Sequence, residues 1–297
     1  MNVPLLPLLS SAAQEGAAFD IKEMILHHLA DSNVLETPFG EVHLPQFAPV
    51  HIGPLSLDFS ITKHVVFMGI AALLVMVLLI WAGADAKRAH REGAVRGPKG
   101  ASNVVEAFVL FLRDEVALKN IGHGGERYVP YVVTVFFFIL FCNLLGLLPW
   151  GASPTGNISV TAALAILTFL VVEIAGMREL GAVGYARTIF YVPHGLPAVM
   201  KPIMLITMTP VEFIGKLTKP FALAVRLYAN MTAGHAVVLA FTGMLVMSGL
   251  AGTLWIAPAP ILMAIAILIL EVFVAFLQAY VFALLTSVFI GLIRHAH

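Results

Sequence analysis

The sequence predicts an all-α integral membrane protein of five to six helices, and three observations carry that prediction. Of its 297 residues, 60% are apolar and only 11% are charged, a balance beyond that of soluble globular domains. Val65 to Ala82 is an unbroken apolar run, which at ~1.5 Å per residue spans ~27 Å, enough to cross a bilayer. Two C-terminal apolar stretches, about Met204 to Leu250 and Pro260 to Arg294, each exceed the ~20 residues that cross a bilayer upright. They must be steeply tilted, bent or split.

In chain order, residues 1–60 read as an N-terminal extracytoplasmic segment and 61–297 as the transmembrane domain. The start lacks the basic residues and long apolar core of a cleaved signal peptide. Phe19 to Leu29 has the spacing of a short amphipathic helix on the membrane surface, with His27 and His28 pointing in different directions. Residues 36–58, punctuated by Pro38, Gly40, Pro45, Pro49 and Pro54, read as an irregular or short-strand connector. The first span, 65–82, is followed by Asp85 to Arg127, which holds eight of the seventeen Lys and Arg residues. Positive residues mark the cytoplasmic side, so the N-terminus is expected outside and the C-terminus inside.

Within the basic stretch, Asn103 to Lys119 has the period of an interfacial helix, and Gly122-His123-Gly124-Gly125 reads as a flexible connection. The next spans are 129–150 and 158–177, joined by a loop without charges from Gly151 to Asn157. Glu173 falls close enough to the end of its span to be hydrated, an interface residue rather than a proton site. Tyr185 to Pro202 contains three prolines and reads as a loop with short helical turns. The tilted helices then run over about 204–250 and 260–294.

The chemistry concentrates in those two helices. Arg226 stands in an apolar helical stretch between Glu212 and Ala240. An arginine at membrane depth costs at least ~2.5–3.5 kcal/mol on insertion scales and is functional by default. Guanidinium stays protonated, so Arg226 cannot shuttle a proton; its fixed charge must act on something that approaches. Ala222, Arg226, Ala229 and Ala233 share one helical face, and small residues there admit another helix closely. Asn230 lies near that face, and Glu212, Lys216 and Lys219 extend a polar stripe, with Glu212 and Lys216 at pairing distance. The plain alternative is a structural arginine paired with a buried acid elsewhere in the bundle.

Pro220 to His235, PFALAVRLYANMTAGH, resembles the signature of subunit a of the F-type (Fo) ATP synthase. The matching positions are Arg226, Leu227, Tyr228, Ala229, Asn230, Met231, Ala233 and Gly234. Asn143 to Pro149 (NLLGLLP) and Leu277 to Phe282 (LQAYVF) resemble two further helices of that family. The likeness runs from about Val129 onward and is poor over the first sixty residues. It implies that the two long helices form a nearly horizontal hairpin against a rotor ring.

The last helix carries Glu271 and Gln278 seven residues apart, on one face. A lone desolvated carboxylate is driven to its neutral form, but a glutamate and a histidine together exchange protons near neutral pH. The family places an acid and a histidine at the positions of His235 and Glu271, in an order that differs between branches. Here the order is the one seen in mitochondrial versions, and the exchange suggests that the two side chains meet. Gln278 resembles a family glutamine near the arginine, implying that it holds Arg226 by hydrogen bonding.

The resemblance implies a proton-translocating stator subunit with two half-channels, non-catalytic itself. Protons enter near Asn230, His235 and Glu271, and a second path opens inside near Glu212, with Arg226 between. The implied partners are the c-subunit ring, the peripheral-stalk subunit b, the catalytic head reached through the stalks, and membrane lipid. The implied location is a bacterial inner membrane.

Other classes fit less well. Net charge near zero gives no basic footprint for nucleic acid. The single Cys142 excludes an intramolecular disulfide and a multi-cysteine metal site, and no cofactor motif is present. A secondary transporter would use intramembrane Arg, Glu and His, but its repeated halves with broken helices are not apparent. A haem protein needs membrane histidines on facing helices, and His235 is the only histidine well inside an apolar helix.

Overall fold

A computed structural model describes residues 31–37, 40–47, 50–52, 55–57, 60–91, 100–148, 151–190, 200–247 and 258–294. The surface helix expected over Phe19 to Leu29 lies outside them. The described residues begin with two antiparallel hairpins, β1 (Val34–Thr37) with β2 (Gly40–His43) and β3 (Val50–Ile52) with β4 (Leu55–Leu57). Val34 pairs with His43 and Val50 with Leu57. These hairpins form the connector and are the one departure from an all-helical chain among the described residues.

Among the described residues six α-helices follow: α1 (Lys63–Arg91), α2 (Ala101–Phe111), α3 (Val129–Gly146), α4 (Ile158–Ile189), α5 (Met200–Met247) and α6 (Pro258–Arg294). Past Phe111, α2 passes into a π-helical segment, Leu112–Leu118, and a last turn, Lys119–Ile121. Among the described residues four stretches are long and apolar enough to cross a membrane: Lys63–Asp85, Gly125–Gly146, Ile158–Gly181 and Pro258–Arg294. The 48-residue α5 contains Pro210 and Pro220. Straight, it would measure ~72 Å at ~1.5 Å per residue, more than twice the ~30 Å of bilayer hydrocarbon.

One difference from the sequence reading has a local cause. The loop expected from Tyr185 is helical as far as Ile189, because α4 turns at Gly181 and resumes. Gly181 sits at φ 69°, ψ 170°, a region open essentially to glycine alone, so one residue redirects the helix without ending it. Gly122 and Gly124 both take positive φ, and Arg294 donates to the His123 carbonyl at 2.8 Å.

The chain forms two compact units. In the first, made of residues up to Leu74, Ile139–Asn157 and Tyr228–Leu277, polar contacts tie the segments. Buried Asn143 donates to the Ala275 carbonyl at 3.3 Å and accepts from Thr155 at 2.6 Å. Asp31 contacts His64 at 2.7 Å and accepts from Asn157 at 3.2 Å.

In the second unit, Val75–Phe138, Ile158–Leu227 and Gln278–His297, small residues set the packing. Ala279 and Ala283 of α6 are fully buried, and a Cβ on Gly291 would strike the Asn120 carbonyl. A Cβ on Gly176 would come within 2.7 Å of Ile293. Close backbone approach through small residues is how membrane helices gain van der Waals contact where lipid supplies no hydrophobic drive. Arg294, almost fully buried, closes this unit through an ion pair with Glu179 at 2.8 Å.

Candidate functional site

Arg226 faces outward. Ala222, Arg226, Ala229 and Ala233 are all exposed, while Leu223, Ala224, Leu227 and Met231 are buried. The periodicity of α5 thus turns its apolar side chains into the bundle and presents the arginine on a track of alanines. Asn230 is exposed beside it. Among the described residues Arg226 has no ion pair and no hydrogen bond, so no acid among them neutralises it. Gln278 is buried on α6, and no hydrogen bond joins it to Arg226. The expected Gln278 contact is therefore not formed in the isolated chain.

In the first unit, His235 Nδ1 and Glu271 Oε1 stand 3.6 Å apart. The other ring nitrogen, Nε2, lies 2.6 Å from the Gly146 carbonyl oxygen. A carbonyl can only accept, so Nε2 must carry a proton for that bond to exist. The exchangeable proton is then on Nδ1, the nitrogen that faces the carboxylate. Glu271 is buried, its side chain 10% exposed, against 23% for His235. A proton residing on either partner leaves an ion pair or a neutral pair, and both states keep the Gly146 bond.

The end of α3 fixes both partners. Gly146 holds His235, and Asn143, one turn earlier, holds the Ala275 carbonyl one turn beyond Glu271. Gly234 makes the approach possible, since a Cβ there would collide with the Glu271 carboxylate. The Gly234→Ala variant should therefore push Glu271 aside and slow proton transfer more than it harms assembly. Proton pumping measured per assembled complex checks this, and pumping at the parent rate would contradict it.

In the second unit a cavity of about 220 Å³ is lined by Glu173, Glu212, Lys216 and Lys219, with Thr168 and Thr188. Here the pairing differs from the sequence expectation. Lys216 lies 3.9 Å from Glu173, and Glu212 forms no ion pair among the described residues. The Glu173 side chain is 10% exposed and lines this cavity. Sequence spacing sees only neighbours on one helix, whereas this pair joins α4 to α5. Of the functional candidates that sequence reasoning missed, Asn143 lies within the quoted NLLGLLP motif, while the Gly146 carbonyl and the Glu173–Lys216 pair left no signal in spacing.

A family model described as "ATP synthase A chain" matches residues 65–291. The "ATP synthase subunit a" of Chloroherpeton thalassium is 46% identical over 268 residues, covering 90% of this chain and 75% of the relative. The "ATP synthase subunit a 2" of Chlorobaculum tepidum is 44% identical over 287 residues, 95% of this chain and 76% of the relative. The protein of the first name from Anaeromyxobacter dehalogenans is 43% identical over 289 residues, 92% of this chain and 71% of the relative.

Proposed function

The chain belongs to the ATP synthase A chain family, and from that membership we propose that it is the proton-translocating stator subunit of an F-type ATP synthase. It is an integral membrane component of the complex and does not itself catalyse nucleotide chemistry. The single observation that carries the reading is Arg226, exposed on a face of alanines and without an ion pair among the described residues. A fixed charge so placed serves a group that arrives from outside the chain.

That group is the carboxylate of a rotor-ring subunit. A proton enters through the polar path at Asn230, His235 and Glu271 and neutralises the ring carboxylate, which then turns into lipid. After nearly a full rotation the carboxylate meets the path at Glu212, and Arg226 draws it into the ionised form by lowering its pKa. In sequence Arg226 falls between Glu212 and His235, and its charge keeps protons from passing straight from one path to the other. One charge crossing ~100 mV yields about 2.3 kcal/mol, so several protons are needed per ATP.

The partners in this reading are the c-subunit ring on the Arg226 face, peripheral-stalk subunit b and the catalytic head. Residues 1–60 form the extracytoplasmic segment and 61–297 the membrane domain, its tilted α5 and α6 making a hairpin against the ring. The N-terminus lies outside and the C-terminus in the cytoplasm of a bacterial inner membrane. Purification in mild detergent tests the assignment: the chain should bring with it a small, very apolar ring-forming subunit. Vesicles holding the two should conduct protons; recovery of the chain alone, conducting nothing, would count against it.

A further inference from the structure

The second unit contains a buried carboxylate for which the proposed function has no use. Glu173 of α4 lines the cavity with its side chain nine-tenths buried, and its Oε2 accepts no hydrogen bond among the described residues. Lys216 Nζ, at 3.9 Å, is beyond hydrogen-bonding range, which ends at ~3.2 Å for this pair of atoms. Lys216 itself is held elsewhere: it donates to Thr188 Oγ1 at 3.3 Å and lies over the Tyr185 ring, 4.5 Å from its centroid.

Those contacts give the pair unequal roles. Lys216 keeps two partners whether or not Glu173 is charged, so its ammonium is held in place beside the carboxylate. Glu173 lines the cavity and its Oε2 is buried without a hydrogen-bond partner among the described residues, so that oxygen can gain and lose a proton without breaking a hydrogen bond. The other charged groups on the cavity are Glu212 and Lys219, both from α5, while α6 contributes only Phe289, Leu292 and Ile293. A buried ion pair beside a void is poorly compensated unless water enters, and the alcohols of Thr168 and Thr188 suit water in that void.

Resting on the subunit a reading above, we propose that the inner half-channel runs through this cavity and that Glu173 is a proton-exchanging carboxylate on it, alongside Glu212. A proton released by the ring carboxylate to cavity water is taken up as an O–H bond on Glu173. It then leaves from Glu173 to water on the cytoplasmic side, so that one proton moves and nothing is oxidised or reduced. The wall bearing Tyr185 and Thr188 follows the Gly181 turn, which brings both residues back toward Lys216.

The test measures passive proton flux in vesicles carrying the assembled membrane sector, as a function of inner-side pH. Glu173→Gln should lower flux by on the order of 10²-fold, the lower end of what a positioned proton-transfer group supplies, and should flatten the pH profile. Glu173→Asp should restore most of both. Unchanged flux and profile in Glu173→Gln, with Arg226→Ala uncoupled, would overturn this proposal and leave the subunit a reading standing; normal coupling in Arg226→Ala would remove both.

Thr188→Cys gives a readout that does not depend on Glu173 variants assembling. A charged thiol reagent added on the inner side should label it, against the low background of buried Cys142. Failure to label it in assembled complexes would overturn the water-filled path.

Discussion

Arg226→Ala is expected to abolish ATP-driven proton pumping while the complex remains assembled. The exposure of this side chain and its lack of an internal partner mean that its loss leaves no buried acid unpaired. The fold should therefore tolerate the change. What disappears is the field acting on the approaching carboxylate. Two unit charges ~4 Å apart at an effective dielectric of about 20 interact by about 4 kcal/mol. At ~1.36 kcal/mol per unit that is about 3 pKa units, or about a thousandfold in the ionised population. A ring carboxylate without that help keeps its proton at the exit, and protons lose the barrier between the two paths. Arg226→Lys should fail as well, because a compact ammonium lacks the planar fork and can itself deprotonate. Proton pumping, scored against co-purification of the ring, checks both variants.

The second large effect is expected at the pair in the other unit. Glu271→Gln keeps the volume and removes the titrating group that faces His235 Nδ1 at 3.6 Å. Proton entry should fall by on the order of 10²-fold, as for loss of a positioned acid–base group. His235→Ala should do similar harm and also leaves the Gly146 carbonyl without its donor. The double exchange, His235→Glu with Glu271→His, should recover part of the activity that each single change destroys. Recovery is a readout that a merely structural pair would not give, because the exchange also strands the Gly146 carbonyl. Single variants that pump at the parent rate would remove the pair from the path.

Much of this was readable before any coordinates. The cost of a guanidinium in an apolar helix marks Arg226, and the 3.6-residue period sorts Ala222, Ala229 and Ala233 onto its face. The all-helical membrane class follows from composition, and the two hairpins between Val34 and Leu57 fall in a connector already rich in turn residues. What stayed hidden depends on contacts between helices. The 3.6 Å approach of His235 to Glu271 needs the bare Cα of Gly234, and the tautomer needs the Gly146 carbonyl. Lys216 looks like a partner for Glu212 along α5, yet it turns to Glu173 on α4, a choice made by packing. The turn at Gly181 was equally silent, since an isolated glycine in a helical pattern does not say whether it will take positive φ.

Disulfide cross-linking between α5 and the ring tests the central claim most directly. With one cysteine beside the ring carboxylate and a second placed in turn at Ala222, Ala229, Leu223 or Leu227, oxidation should join the ring to the exposed positions 222 and 229. The buried positions 223 and 227 should stay unlinked. Cross-linking at the buried positions alone, or at none of the four in an assembled and coupled complex, would contradict the placement of Arg226 at the rotor.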